Sequence, residues 1–158
     1  MNGDYERLLS REPLVIQRRV RWADCDPAGV VYTGKFSEYL LSAAGYLFDV
    51  LAGDRRYSDW LRELEVDTPC KGLELEFHGA LWPDDVFEMH CTVTEIRQHS
   101  YDIRVEARQP DGRRVFTGRF SPICISRQVR QRVSIPARMR EGLLRHRPAA
   151  TAPGEDRT

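Results

Sequence analysis

A chain of 158 residues with 41% hydrophobic side chains has the length of one domain and enough apolar surface to bury one core. Its 30% charged residues sum to zero net charge, and Leu, Val and Ile recur in short patterned groups, which excludes wholesale disorder. No apolar run approaches the roughly 20 residues that cross a bilayer, and Met1-Asn2-Gly3-Asp4-Tyr5-Glu6-Arg7 lacks the basic-then-apolar order of a signal peptide, so the expected address is the cytoplasm.

In chain order, a turn of helix is expected at Tyr5 to Leu9. A strand follows over Leu14 to Trp22, with Ile16, Val20 and Trp22 on one face. Asp26-Pro27-Ala28-Gly29 has the residues of a tight turn. From Gly34 to Leu51, Phe36, Tyr39, Leu40, Ala43, Ala44, Leu47, Phe48 and Leu51 recur at helical intervals, and Gly53 supplies the stop. A short helix is predicted over Ser58 to Glu65 with Ser58 as its cap.

Beyond Pro69 the period changes to two. Lys71 to Phe77 forms one strand, and Phe87, Met89, Cys91 and Val93 alternate with polar residues in a second. Tyr101, Ile103, Val105 and Ala107 continue the alternation, Pro110-Asp111-Gly112 turns the chain, and Val115 to Ser126 returns as a strand. Pro136 to Arg147 reads as a basic helix. The fold class is therefore α+β, with about five antiparallel strands and one long helix on a sheet face. We expect an N-terminal extension over 1–13, one domain over 14–147 and a disordered tail over 148–158.

Residues 1–96 hold ten Lys/Arg against eighteen Asp/Glu, and residues 97–158 hold fourteen against six. That asymmetry suits a phosphorylated ligand such as coenzyme A; no nucleic-acid motif accompanies it. Cys25, Cys70, Cys91 and Cys124 are widely spaced, with no zinc pattern, so reduced thiols and no metal are expected.

The chemistry concentrates where the first strand, a loop with Asp24 and Asp26, and the long helix follow one another. Amides in a helix's first turn lack internal partners and carry partial positive charge. A carbonyl oxygen on the N–H of Thr33 or Gly34 would be stabilised while Asp26 attacked the carbon or activated water. A thioester suits this set, because a thiol of pKa about 8.5 leaves without a general acid. No G-x-S-x-G elbow or H-E-x-x-H is present for harder substrates. On spacing alone, a capped turn accounts for the same residues.

Arg21-Trp22-Ala23-Asp24-Cys25-Asp26-Pro27-Ala28-Gly29-Val30-Val31-Tyr32, followed by a helix with Phe36 and Tyr39, resembles the signature of the 4-hydroxybenzoyl-CoA thioesterase family and of related YbgC-type acyl-CoA thioesterases. The resemblance implies a hotdog fold, in which an antiparallel sheet wraps one long helix, and an acyl-CoA thioesterase working as a homo-oligomer, dimer or tetramer. It implies that Asp26 is catalytic, that the N–H groups of Thr33 and Gly34 bind the thioester oxygen, and that Asp24 supports the loop. Coenzyme A would enter as part of the substrate, with no separate cofactor and no membrane or nucleic-acid partner.

Two departures concern the substrate. Thr33 stands where YbgC-type members carry His, and Leu41 where the 4-hydroxybenzoyl enzyme uses a carboxylate on the phenol. Tyr32, Phe36, Tyr39 and Leu41 are then expected around the acyl group, with Arg97, His99 and Ser100 matching the turn that meets coenzyme A phosphates. His78 is a weaker candidate for the acyl pocket. A hotdog hydratase or dehydratase would want a His, which the long helix lacks; a non-catalytic acyl-CoA binder would not need an intact Asp26 and Gly29.

Overall fold

The computed structural model describes residues 5–149. Six antiparallel strands form the main sheet: β1 (Glu6–Arg11), β2 (Leu14–Arg19), β4 (Cys70–Phe77), β5 (Val86–Ile96), β6 (Tyr101–Arg108) and β7 (Arg114–Pro122). Their spatial order is β1-β2-β5-β6-β7-β4. The short β3 (Val66–Asp67) and β8 (Ile125–Ser126) make a separate antiparallel pair.

The long helix α1 (Lys35–Ala52) lies on one face of this sheet. Phe36, Tyr39, Leu40, Ala43, Ala44, Leu47 and Leu51 share its buried side, at the three- and four-residue spacing of a single helix face. They meet the inward residues of the strands, among them Ile16, Phe87, Met89, Val93, Ile103, Val105 and Phe116, all buried. Each such side chain contributes roughly 1.5–3 kcal/mol on burial, so this interface supplies most of the fold's driving force. Gly53 ends α1 at φ 68, with its N–H on the carbonyls of Asp49 and Val50.

Helix α2 (Tyr57–Glu63) follows, and α3 (Ala137–Arg145) packs Met139, Gly142 and Leu143 against the core. The C-terminal chain is tied down further by the bond from the Val93 N–H to the His146 carbonyl, 2.8 Å.

Four expectations change. Tyr5–Leu9 is not a turn of helix: Glu6–Arg11 pairs with β2, Leu8 opposite Ile16. Its residues alternate between half-buried and exposed, and the free edge of β2 offers the hydrogen bonds that a lone helical turn lacks. The main sheet accordingly has six strands instead of about five. Trp22 does not continue the face of Ile16 and Val20. Strand β2 stops at Arg19, Trp22–Asp24 is a 3₁₀ turn, and the indole is 74% exposed. Finally, Ser58 does not cap α2, which starts from Arg56 with no side-chain cap. Of the expected tail, residues 150–158 lie outside the described residues.

Candidate active site

The loop between β2 and α1 is closed by its own hydrogen bonds. Tyr32 N–H donates to the Asp24 carbonyl (3.1 Å), Asp26 N–H to Val30 (2.9 Å) and Gly29 N–H to Asp26 (2.9 Å). Cys25 and Val31 form an isolated antiparallel bridge. Gly29 takes φ 86, where a side chain would be strained. Outside the loop, Val31 N–H bonds to Leu81 and Val20 N–H to Asp85, so the strand ends anchor it on both sides.

Asp26 is half-buried, and its Oδ1 accepts the Ala28 N–H at 2.9 Å. That bond fixes the carboxylate's orientation while leaving the other oxygen uncommitted among the described residues. Thr33 and Gly34 lead directly into α1. Their N–H groups donate to no backbone carbonyl among the described residues, whereas those of Lys35 and Phe36 bond back to Tyr32 and Thr33. Two free amides at the positive end of an 18-residue helix suit a developing oxyanion.

Asp24 has a different environment. Its side chain is 2% exposed. Oδ2 accepts the Tyr39 hydroxyl at 2.8 Å and the Arg21 N–H at 3.2 Å; Lys35 Nζ lies 3.4 Å from Oδ1 and Arg18 Nη2 lies 3.8 Å from Oδ2. Burial by itself would raise this carboxyl, but those hydrogen bonds and cations outweigh it and hold the acid below its usual range. Burial and the adjacent Asp24 carboxylate push the Tyr39 phenol far upward, so Tyr39 remains a donor.

Arg18 also pairs with Glu6 and lies 4.4 Å over the Tyr39 ring, while Glu6 accepts the Ser42 hydroxyl. Sequence reasoning missed Arg18, Glu6 and Lys35. A signal existed for Arg18, because the alternation that buries Ile16 and Val20 puts position 18 on the same face.

Cys25 is a poor competing nucleophile. Its Sγ donates to the Arg21 carbonyl at 3.7 Å, and burial, together with Asp24, Asp26 and Asp85, raises the thiol.

The residues expected around the substrate fall into three groups. Phe36 and Tyr39 are buried at 5% and 0%, part of the core behind the loop. Tyr32 and Leu41 are exposed at 47% and 46%, with the Tyr32 ring against Gly34. Arg97, His99 and Ser100 form the β5–β6 turn, roughly 30 Å along β5 from the end that meets the loop.

In that turn Arg97 is committed to Asp102 through two bonds of 3.0 and 2.7 Å, and Ser100 is buried. His99 is half-buried, and its carbonyl accepts Cys124 N–H. The turn is thus held by Asp102 and by Cys124, while the Arg97 side chain stays 44% exposed. His78 bonds to Thr117 at 3.0 Å and lies 3.3 Å from Arg114, so its ring is engaged along the β4–β7 pair. No cluster of metal-ligating side chains occurs among the described residues, and no described helix is long and apolar enough to cross a membrane.

A family model of the thioesterase-like superfamily matches residues 20–143. The chain is similar to a thioesterase-superfamily structure from Jannaschia sp., with 29% identity and a TM-score of 0.76 over 85% of this chain and 93% of that one. It also resembles a 1,4-dihydroxy-2-naphthoyl-CoA thioesterase from Synechocystis, at 18% identity, TM-score 0.73, covering 82% and 94%. A third similar structure is a 4-hydroxybenzoyl-CoA thioesterase with an Asp-to-Asn substitution, complexed with 4-hydroxybenzoyl-CoA. Its identity is 21% and its TM-score 0.72, covering 82% and 96%. The last two likenesses carry the fold alone. No curated protein matches the sequence.

Proposed function

The chain belongs to the thioesterase-like superfamily, and from that premise we propose that it hydrolyses an aryl or medium-chain acyl-CoA thioester to the free acid and coenzyme A. Asp26 acts as nucleophile or general base, and the N–H groups of Thr33 and Gly34 receive the thioester oxygen. The observation that carries this reading is the closed loop 24–32, which holds a half-buried carboxylate on the segment that opens into the free amides of α1.

Each step asks little beyond these groups. The carbonyl carbon gains an oxygen from Asp26 or from water, the C–S bond breaks, and the thiolate departs unprotonated. An oxyanion donor of this kind is worth on the order of a hundredfold or more in rate. No metal or cofactor is required. Charge on the thiolate and phosphates of coenzyme A would be met by the arginines of the later half of the chain, and the reaction belongs to the cytoplasm.

The active form is a homo-oligomer, a dimer or tetramer. β4 supports this, because it is an edge strand whose Leu73 and Phe77 stay 42% and 48% exposed.

Incubation with a panel of acyl-CoAs tests the proposal. Loss of the thioester absorbance is the readout to use, since exposed Cys70 would itself react with a thiol reagent. Benzoyl-CoA and medium-chain acyl-CoAs should turn over without a required phenol, as Leu41 offers no carboxylate to one. A strong preference for 4-hydroxybenzoyl-CoA over benzoyl-CoA would contradict the pocket, and no turnover of any thioester would contradict the activity.

A further inference from the structure

We infer that Arg18, Asp24 and Tyr39 are positioning residues, a buried polar set that holds the Asp26 loop and the mouth of α1 in fixed relation, with Glu6 of β1 completing its charge balance. This rests on the reading of Asp26 proposed above.

The set reaches both halves of the site through Asp24. Asp24 stands two residues before Asp26, and its carbonyl holds the N–H of Tyr32, the residue before Thr33. A shift of Asp24 is therefore transmitted both to the Asp26 turn and to the segment that carries the proposed oxyanion amides.

Its side chain is anchored to three other parts of the fold: to α1 by Tyr39 and Lys35, to β2 by Arg18, and to the start of its own turn by Arg21 N–H. Glu6 then links Arg18 to β1 and, through Ser42, back to α1. The charged side chains facing one another are Glu6 and Asp24 against Arg18 and Lys35, and Lys35 also meets the more exposed Glu38.

Stability alone is a poor reason for such a set, since an apolar replacement of a buried ion pair is often neutral or stabilising. Fixed geometry is a better one. Polar ends tied to several elements at once favour one arrangement, and misplacing a reacting group by about 1 Å can cost up to a hundredfold in rate. Tyr39 suits such a role, being 0% exposed with its hydroxyl committed to Asp24.

The test uses benzoyl-CoA and the Tyr39→Phe variant, which removes one hydroxyl and keeps the ring against Phe36 and Phe87. kcat should fall about tenfold with KM changed by less than about twofold. In an Asp26→Asn background the same substitution should cause no further loss, because the group it misplaces is gone.

A lowered unfolding temperature with parental kcat below it would show a structural role and overturn the inference. Equal losses in both backgrounds would do the same. Should Tyr39→Phe not fold, Asp24→Asn, of the same shape, is measured in its place against the same expectations. Full activity of Asp26→Asn defeats the reading of Asp26 itself. An inactive Asp26→Asn beside a fully active Tyr39→Phe leaves that reading intact and defeats only the positioning set.

Discussion

Asp24 and Asp26 stand two positions apart and meet opposite surroundings. Asp24 is enclosed by a hydroxyl, a backbone amide and two cations, while Asp26 is half-buried with one intraloop bond. Asp24 is buried and contacted at both oxygens, which leaves it little access to a substrate and supports giving the reacting role in the proposed mechanism to Asp26. Asp26→Asn keeps the turn's shape and should lower kcat by on the order of a hundredfold or more. Asp24→Asn should lose less, about tenfold, through displacement. In a single turnover in isotopically labelled water, nucleophilic attack would leave the label in Asp26, and general-base catalysis would put it into the acid. Label in neither place on first turnover would exclude both roles.

A second carboxylate, Asp102, predicts a pH dependence. Bidentate Arg97, the Ser121 hydroxyl at 2.6 Å and the nearby Arg119 outweigh burial and bring its pKa down to about 2. The folded value lies below the unfolded value of about 3.9, so the stabilisation is present above about pH 4 and is lost as pH falls towards 2. It amounts to about 2 kcal/mol. The urea midpoint should fall across that window, and Asp102→Asn should start lower at pH 7 and lack this part of the fall. An unchanged pH slope in the variant would remove Asp102 from the account.

At the scale of elements, α1 packs tightly on the sheet at Gly118 of β7. A methyl group there would lie 2.9 Å from Leu40 Cδ1, 3.0 Å from Cδ2 and 3.2 Å from Leu75 Cδ2. Leu40 is fully buried, so it has little room to turn aside. Gly118→Ala should destabilise the fold by about 1–3 kcal/mol, read as a lower urea midpoint with an unchanged m-value. A neutral result would mean that the helix can lift from the sheet without loss. The helix and the inner strands were legible because their period follows from which face is buried. β1 was not: its half-buried alternation is weak, and its partner is the edge of β2, a tertiary fact.

For the whole molecule, the two sheet edges differ. β1 presents the exposed Arg7 and Arg11, whereas β4 leaves Leu73 and Phe77 partly uncovered, Phe77 against Phe36 of α1. An edge strand with an apolar face invites a second copy. Sedimentation should give a dimer or tetramer, and Leu73→Lys should shift it towards monomer by placing a charge on that face. A parent that sediments as a monomer at assay concentration would rule out pairing through β4.

The sequence by itself determined the α+β class, the long helix, the alternating strands and the loop that carries Asp26, because each follows from local spacing: 3.6 for the helix, 2 for the strands, and Asp-Pro-Ala-Gly for the turn. Only the tertiary structure decided what surrounds each of the loop's two carboxylates and which partners hold the Arg97–Ser100 turn. Arg18, Lys35 and Tyr39 reach Asp24 from two separate elements, and Arg97 is drawn to Asp102 across a turn closed by the C-terminal chain. Which charges meet depends on how strands and helix pack in space, and one-dimensional spacing does not carry that information.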